Sequence, residues 1–496
     1  MSQINVIDEV FDLKKIKNNL IVGNVFDKET LIRLTEYEIL KRYKISGEKF
    51  VHSIQGNFII FLIDKEYLYI FNDRYGLKHL YYCFENGCFL VSSYFGRFTN
   101  YFKTNEIDKE ALLEFNLFKY PFGDKTLLKN VKLLPPACII KIDLSMKKYQ
   151  TSVYHKFDLS HTDGRNSDEI LRDLIKNINK SVDLVNNTAG SKILPLSGGL
   201  DSRYLAALMK ERGINFNAYT YGKRFCDDQK YATRVTKLLK INHYHEYMEN
   251  NEKLEKYSKL IFRLHGNMYP KTKVCDSGII SEDINGELIV SGLSGDMIFG
   301  SRFDPSILNF KHKKDIILYL FNKDCSENYL VPRYKFGKYY YFYLLSGKNK
   351  INSLELYSDE LMDKVFENYT QEFDKYYDPK NPVKSIFLFD IFNRQRRWIF
   401  NIVNTSGKNH LCPFYEYNLF DFVLTIPDIL WINRVIYKYS FVCKFPELSK
   451  IPEQRTRLPI NVPEWIGNLN EYKLKISLVL SKILKFNSSI KNWRPY

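Results

Sequence analysis

Ile193-Leu194-Pro195-Leu196-Ser197-Gly198-Gly199-Leu200-Asp201-Ser202 is the stretch whose reading decides the fold. Apolar residues lead into Ser-Gly-Gly-x-Asp-Ser, and Leu205, Leu208 and Met209 then share one helical face at i, i+3, i+4 spacing. Gly213 stands where a helix C′ stop is expected. The pattern predicts a strand, a tight loop and a helix N-terminus. Pro195 removes a ladder donor from a strand that should be central, so it is read as that strand's last residue.

Two glycines let backbone approach an anion, and the amides and dipole of a helix's first turn favour negative charge. Ser197 and Ser202 add hydroxyl donors. Asp201 would repel phosphate directly, so its useful role is to hold magnesium against the phosphates. The alternative is a plain strand-to-helix turn, in which Gly-Gly supplies the bend and Ser-x-x-Asp caps the helix. The complete hexapeptide between strand and helix favours the binding reading. It resembles the PP-loop of ATP pyrophosphatases, which implies ATP cleavage between the α and β phosphates. It lacks the Gly-Lys-Ser/Thr ending of a Walker loop.

A chain of 496 residues, 45% hydrophobic and 26% charged, has room for two to four globular domains. No apolar run reaches the roughly 18 residues that span a bilayer, and the opening residues lack the basic-then-apolar order of a signal peptide. Eight scattered cysteines without a Cys-x-x-Cys pair argue against a zinc site or a disulfide framework. A cytoplasmic protein is expected. The net charge of +16 raises nucleic-acid binding, but the lysines are spread among Asn, Ile and Tyr rather than gathered in a stripe. Nucleic acid is therefore not expected as a partner.

Upstream, Phe58–Ile63 and Tyr67–Phe71 form apolar runs around Asp64-Lys65-Glu66, a hairpin pattern. Leu80–Phe84 and Cys88–Val91 repeat it around Glu85-Asn86-Gly87, and Asp108 caps a predicted helix to Phe118. A layered antiparallel sheet domain is expected over residues 1–157, a polar linker over 158–169, and a second domain over 170–496. "GNFIIFLIDKEYLYIFNDRYGLKHLYY" and "YPFGDKTLLKNVKLLPPACIIKID" resemble the glutamine amidotransferase domain of asparagine synthetases. The resemblance implies a truncated Ntn-hydrolase-like domain followed by an adenine-nucleotide α-hydrolase-like one, with a helical C-terminal part. Family glutaminases use a cysteine directly after Met1, with its α-amino group as base. Ser2 and Gln3 stand here, the family's opening half is missing before "IVGNVFD", and Val22 replaces the oxyanion-hole asparagine. The glutaminase is read as dead.

In the second domain, Phe216–Gly222 is a predicted strand that matches the family's "F-T-x-G" strand, and this places Tyr221 beside the adenine. Alternating strands and helices indicate a parallel sheet with ligands at the C-terminal strand ends. Glu287–Gly300 resembles the synthetases' "V-L-S-G-E-G-A-D-E-L-F-G-G". The resemblance gives Ser291 and Gly292 backbone contact with the nucleotide, and pairs Asp296 with Asp201 as a magnesium clamp. Leu196, Ser197, Gly198, Gly199, Asp201 and Ser202 complete the ATP-binding set. Leu293 and Met297 replace two family glutamates, which leaves the amine without its acid/base partner. Asp390–Trp398 is a predicted basic helix, whose Arg394, Arg396 and Arg397 either face pyrophosphate or a substrate carboxylate or form a solvated face. "FPELSKIPEQRTRLPI" resembles a late family segment, and Arg455 takes the place of a basic residue that would steady leaving pyrophosphate.

The resemblance implies an AMP-forming carbon–nitrogen ligase that uses ATP and Mg2+. It joins a small-molecule or peptide carboxylate to an amine or ammonia, without glutamine hydrolysis. β-Lactam synthetases and lasso-peptide cyclases lack the cysteine in the same way, and asparagine biosynthesis is the family's generic activity. The rivals are a catalytically silent ATP-binding member and a PP-loop tRNA-modifying enzyme.

Overall fold

Alternation with period two organises the first third of the chain. The computed structural model describes residues 18–247 (apart from 86–87, 103–105 and 147), 286–301, 312–328, 358–405 and 408–462, with isolated residues elsewhere. Strands β1 (Phe11–Asp12), β2 (Leu20–Asp27), β3 (Ile54–Asp64), β4 (Tyr67–Asn72), β5 (Tyr81–Glu85), β6 (Cys88–Ser92), β7 (Lys132–Leu133), β8 (Cys138–Asp143) and β9 (Lys148–Val153) build two antiparallel sheets. Their orders are β2-β3-β4-β8-β9 and β1-β6-β5-β7.

Ile59, Phe61, Leu68 and Ile70 of the first sheet meet Tyr82, Phe89 and Val91 of the second in one buried cluster. The alternate residues Phe58, Ile60, Leu62, Tyr69 and Phe71 pack outward onto Ile39, Phe50 and Val51, which lie on the Glu36–Ser46 helix and the 3-10 turn after it. Tyr81, Cys83 and Leu90 pack against Phe95 and Phe98. Both faces of each sheet are therefore covered, at roughly 1.5–3 kcal/mol for each large apolar side chain buried. The expected hairpins are present, with Asp64 opposite Tyr67 and Glu85 opposite Cys88. Asp108 caps the Lys109–Phe118 helix by accepting from the Ala111 amide.

The second sheet system is wholly parallel. β10 (Lys192–Pro195), β11 (Phe216–Gly222), β12 (His243–Tyr247), β13 (Leu288–Val290) and β14 (Asn409–Leu411) lie in the order β12-β11-β10-β13-β14. Pro195 is the last residue of β10, as read from the sequence. The helix after the PP-loop runs Leu200–Glu211 and stops before Gly213, whose φ is 67°. Residues 154–166 carry no helix or strand. Even so, Leu159 is buried and the Asp163 amide donates to Thr425 O at 2.8 Å, so the linker is laid onto the second domain.

One hydrophobic cluster runs through the junction, joining Phe26, Tyr75, Leu113 and Phe118 to Leu174, Phe387, Tyr417 and Phe420. Arg74 pairs with Asp421 and lies over the Phe157 ring at 4.7 Å. The expected Asp390–Trp398 helix is broken by a π turn at Ile391–Gln395. Arg396 and Arg397 take neither of their two expected roles. Both are buried, and Arg397 Nη2 donates to Gly123 O at 2.8 Å and Lys125 O at 2.6 Å, while Arg396 bonds Leu134 O. Backbone carbonyls of the first domain accept from both, because that face of the helix is the domain junction, while Arg396 Nε and Arg397 Nη1 have no partner. Arg394 stays partly exposed, 3.8 Å from Asp390. No described helix is long and apolar enough to cross a membrane.

Candidate active site

The strand order of the parallel sheet reverses at β10, with β11 on one side and β13 on the other. Open α/β sheets bind ligands in the crevice at such a point, beyond the carboxyl ends of the strands. Both motif loops leave from there, the PP-loop after β10 and the Ser291–Gly300 loop after β13.

The PP-loop is tied down at its root. Leu196 N donates to Tyr219 O at 2.8 Å, and Thr220 Oγ1 donates to Leu196 O at 2.6 Å. Gly199 is the N-cap of the helix and makes no side-chain cap bond, so capping does not account for Ser197 and Asp201. Three loop amides are engaged inside the protein, unlike the open cradle that the sequence suggests. Ser197 N donates to Ser202 Oγ at 3.1 Å, Gly199 N to Ser197 Oγ at 3.1 Å, and Gly198 N to Asp228 Oδ1 at 2.7 Å. The two serine hydroxyls lie 3.1 Å apart, Ser197 exposed and Ser202 buried.

A C-terminal strap lies across this loop. Gln454 N donates to Gly198 O at 3.1 Å and Gln454 Nε2 to Asp228 Oδ2 at 3.0 Å. A Cβ on Gly198 would stand 3.2 Å from Gln454 Cβ, which explains the absence of a side chain there. Arg203 is fully buried and binds the strap's root, donating to Ile451 O at 2.6 Å and Pro452 O at 2.8 Å. Arg457 Nε pairs with Asp227 Oδ2 at 2.9 Å. Arg455 lies exposed on the same strap, next to Gln454.

The two carboxylates meet from opposite loops. A Cβ on Gly295 would stand 2.8 Å from Asp201 Cγ, and one on Gly292 would stand 3.1 Å from Ser202 N. Glycine at both positions is what lets the second loop close onto the first. Asp201 Oδ1 is buried without a hydrogen-bond partner. Burial first, and the Asp296 carboxylate second, push the Asp201 pKa up to about 7. Buried Arg434, held in the left-handed region at φ 63°, acts on both carboxylates and lies 3.8 Å from Glu453 of the strap. The buried Tyr437 ring faces Asp201, and stacks on Phe299 at 3.8 Å between centroids.

Ser294 precedes the Gly295–Ile298 turn at φ 56°, a backbone state that is uncommon for serine and typical of functional turns. Met297 is buried in the core, and Leu293 packs half-buried against it. Ser291 N donates to Leu411 O at 2.8 Å, which ties the loop's root to β14. Tyr221 sits half-buried near the end of β11 with its ring 6.5 Å from that of Tyr219. Leu196–Ser202, Ser291, Gly292 and Asp296 thus converge. In the first domain Val22 is fully buried in the core between the two sheets. Ser2 lies outside the described residues.

Sequence reasoning missed Asp228, Arg203, Gln454, Arg434 and Tyr437. The Asp227-Asp228 pair at a helix start was a visible signal. Nothing in local spacing marks Arg434 or Tyr437, which come from a segment more than 200 residues away from the PP-loop.

Against family models, residues 193–442, slightly more than half of the chain, match asparagine synthase, and residues 3–155 match a glutamine amidotransferase domain. The chain belongs to the asparagine synthase family. No curated protein matches this family member's sequence. Among solved structures, the allosteric regulatory enzyme of purine biosynthesis aligns at 10% identity and a TM-score of 0.20, over 50% of this chain and 63% of its own. Glutamine phosphoribosylpyrophosphate amidotransferase from B. subtilis, complexed with ADP and GMP, aligns at 10% identity and a TM-score of 0.19, over 59% of each chain. The chain thus spans about three-fifths of the length of each, and scores this low carry no argument about this asparagine synthase-family fold.

Proposed function

We propose that the chain is an AMP- and pyrophosphate-forming ligase. It adenylates a carboxylate of a small molecule or peptide, then passes the acyl group to an amine or ammonia. The observation that carries this reading is the convergence of Asp201 and Asp296 at the strand-order reversal, beside the PP-loop. The reading divides the chain as 1–157, 158–169 and 170–496, with the ligase chemistry in the last part.

Among the described residues no group of three or more His, Cys, Asp or Glu could hold a metal ion. Magnesium needs no such cage, since one or two carboxylates and the substrate's phosphates suffice. The unpartnered, buried Asp201 Oδ1 beside Asp296 suits a cation of this kind. Magnesium bound by this pair would neutralise charge that builds on the phosphates.

Leu196–Ser202, Ser291, Gly292 and Tyr221 hold the nucleotide in this reading. A carboxylate oxygen attacks the α phosphorus, and the bond from that phosphorus to the α–β bridging oxygen breaks. Pyrophosphate leaves, steadied by Arg434 and Arg455. The amine nitrogen then attacks the acyl carbon, AMP leaves, and the amine proton passes to a base. Leu293 supplies no carboxylate for that last transfer, so the base belongs to the substrate or to another residue. With Val22 facing the sheet core, the first domain offers no side-chain oxyanion donor at that position, and no glutamine is hydrolysed.

ATP–pyrophosphate exchange over a panel of carboxylic acids tests the reading. Exchange with AMP as product is expected. ADP as the sole nucleotide product overturns it, and Mg–ATP binding without turnover on any acid favours a silent member. Glutamate released from glutamine above a heat-killed control would overturn the loss of glutaminase activity.

A further inference from the structure

β14 is the outer strand of the parallel sheet, and an edge strand exposes a row of unsatisfied backbone groups. Leu411 O faces inward, because it accepts from Ser291 N at 2.8 Å. Successive carbonyls of a strand point to opposite sides, so His410 O points off the outer edge. That carbonyl meets the first domain. Asn57 Nδ2 donates to it at 2.7 Å and Asn24 Nδ2 at 3.1 Å. Asn24 and Asn409 also bond reciprocally, at 2.6 and 2.8 Å, and Asn24 Nδ2 reaches Asn57 Oδ1 at 3.1 Å.

Asn24 and Asn57 are both buried and face each other across β2 and β3. The glycine beside each makes the arrangement possible. A Cβ on Gly23 would stand 2.1 Å from Asn57 O, and one on Gly56 would stand 2.2 Å from Asn24 O, at φ of 96° and 134°. β2 and β3 are thus packed tightly around two amides that bond each other and also reach across to β14. Asn24 lies two residues beyond Val22, the position that the resemblance gives to the oxyanion group of a glutaminase.

We infer that the amidotransferase-like domain is a structural part of the nucleotide site, with Asn24 and Asn57 as positioning residues that fix β14 and, through it, the Ser291–Asp296 loop. β13 has only three residues before that loop begins, so the register of β14 decides where Ser291, Gly292 and Asp296 stand. This gives a domain without glutaminase chemistry a task in the ligase. The inference rests on the nucleotide reading above.

The test compares Asn57→Ala and Asn57→Asp with Asp421→Asn, which weakens the same domain junction at Arg74 but does not touch β14. Mg–ATP dissociation constants are measured by calorimetry well below the unfolding temperature, together with amide exchange in residues 288–295. Asn57→Asp turns a donor into an acceptor facing a carbonyl, so it should weaken Mg–ATP binding about tenfold, and Asn57→Ala severalfold. Both should speed exchange in 288–295, whereas Asp421→Asn should lower the Tm and leave both quantities unchanged. Parent-like affinity in folded Asn57 variants overturns the inference, as does an equal loss in Asp421→Asn. If Asn57→Asp does not fold, Asn57→Ala decides by the same criteria. If the parent itself fails to bind Mg–ATP, the nucleotide reading falls. The exchange comparison then still decides the joint: faster exchange in Asn57→Ala alone supports it, and equal exchange in all variants overturns it.

Discussion

The two sheet systems place their buried polar groups differently. In the antiparallel domain many are bonded to backbone or across the junction, although Arg74 Nε and Tyr75 Oη have no partner. Asp73 accepts from four backbone amides, Arg74 pairs with Asp421, Gln55 donates to Glu416 and accepts from Tyr417 N, and Asn24 and Asn57 hold β14. Two charged groups of the second domain matter most here: Asp201 has an unpartnered oxygen, and Lys384 is buried against Trp431 with Asp428 at 3.2 Å. A satisfied polar network rigidifies, whereas an unsatisfied buried charge raises the energy of the apo state and favours a ligand of opposite sign.

The contrast breaks most directly at Asp296. Asp296→Asn should leave far-UV circular dichroism unchanged and weaken Mg–ATP binding by about 100-fold, close to 3 kcal/mol, because an anionic ligand is lost. Parent-like affinity by calorimetry would mean that the carboxylate pair is structural, like the polar groups of the first domain.

Arg203→Met tests whether satisfied polar contacts in the second domain behave like those of the first. Its guanidinium reaches four carbonyls at Gly198, Leu448, Ile451 and Pro452. Removing it orphans buried acceptors, at about 3 kcal/mol. A lower denaturation midpoint and faster proteolysis near residue 452 are expected, and cleavage equal to that of the parent would show that the strap is held by other contacts.

Lys384 gives a pH signature. Burial first, opposed by Asp428, pulls its pKa down to about 7 from 10.5. Between these values the unfolded chain binds more protons than the folded one, so this group's contribution to stability rises with pH above about 7 and is lost as pH falls through it. The parent should gain about 2 kcal/mol relative to Lys384→Met between pH 7 and pH 9. A parallel pair of denaturation curves at both pH values would show Lys384 to be charged throughout.

The smallest effect is expected at Asp228, whose carboxylate occupies the Gly198 amide and adds negative charge beside the loop. Asp228→Asn should tighten pyrophosphate binding about fivefold, near 1 kcal/mol, as a charge-assisted bond is exchanged for a neutral one. Weaker binding would make Asp228 a brace for the loop rather than a competitor.

Local patterns carried far in this chain. The apolar runs Phe58–Ile63 and Tyr67–Phe71 around Asp64-Lys65-Glu66 specified the hairpin, because strand and turn preferences act over a few residues. Pro195 and Gly213 marked the ends of β10 and of the following helix, since each acts through its own backbone. The Ser-Gly-Gly-Leu-Asp-Ser run and Gly292–Asp296 placed both carboxylates at strand ends. Arg396 and Arg397 were illegible, because a basic helix face reads the same whether water or the carbonyls of Gly123, Lys125 and Leu134 satisfy it.

What the sequence determined by itself was therefore the layered sheets and the parallel sheet, while the pairing of Asp201 with Asp296 was an expectation from the family resemblance. What only the tertiary structure decided was the company these residues keep: Asp228 and Gln454 on Gly198, Arg434 beside the carboxylates, and Asn24 and Asn57 on β14. Periodicity and turn chemistry act over a few residues and are written locally. A hydrogen bond between positions 353 or 386 residues apart depends on packing, which no local pattern records.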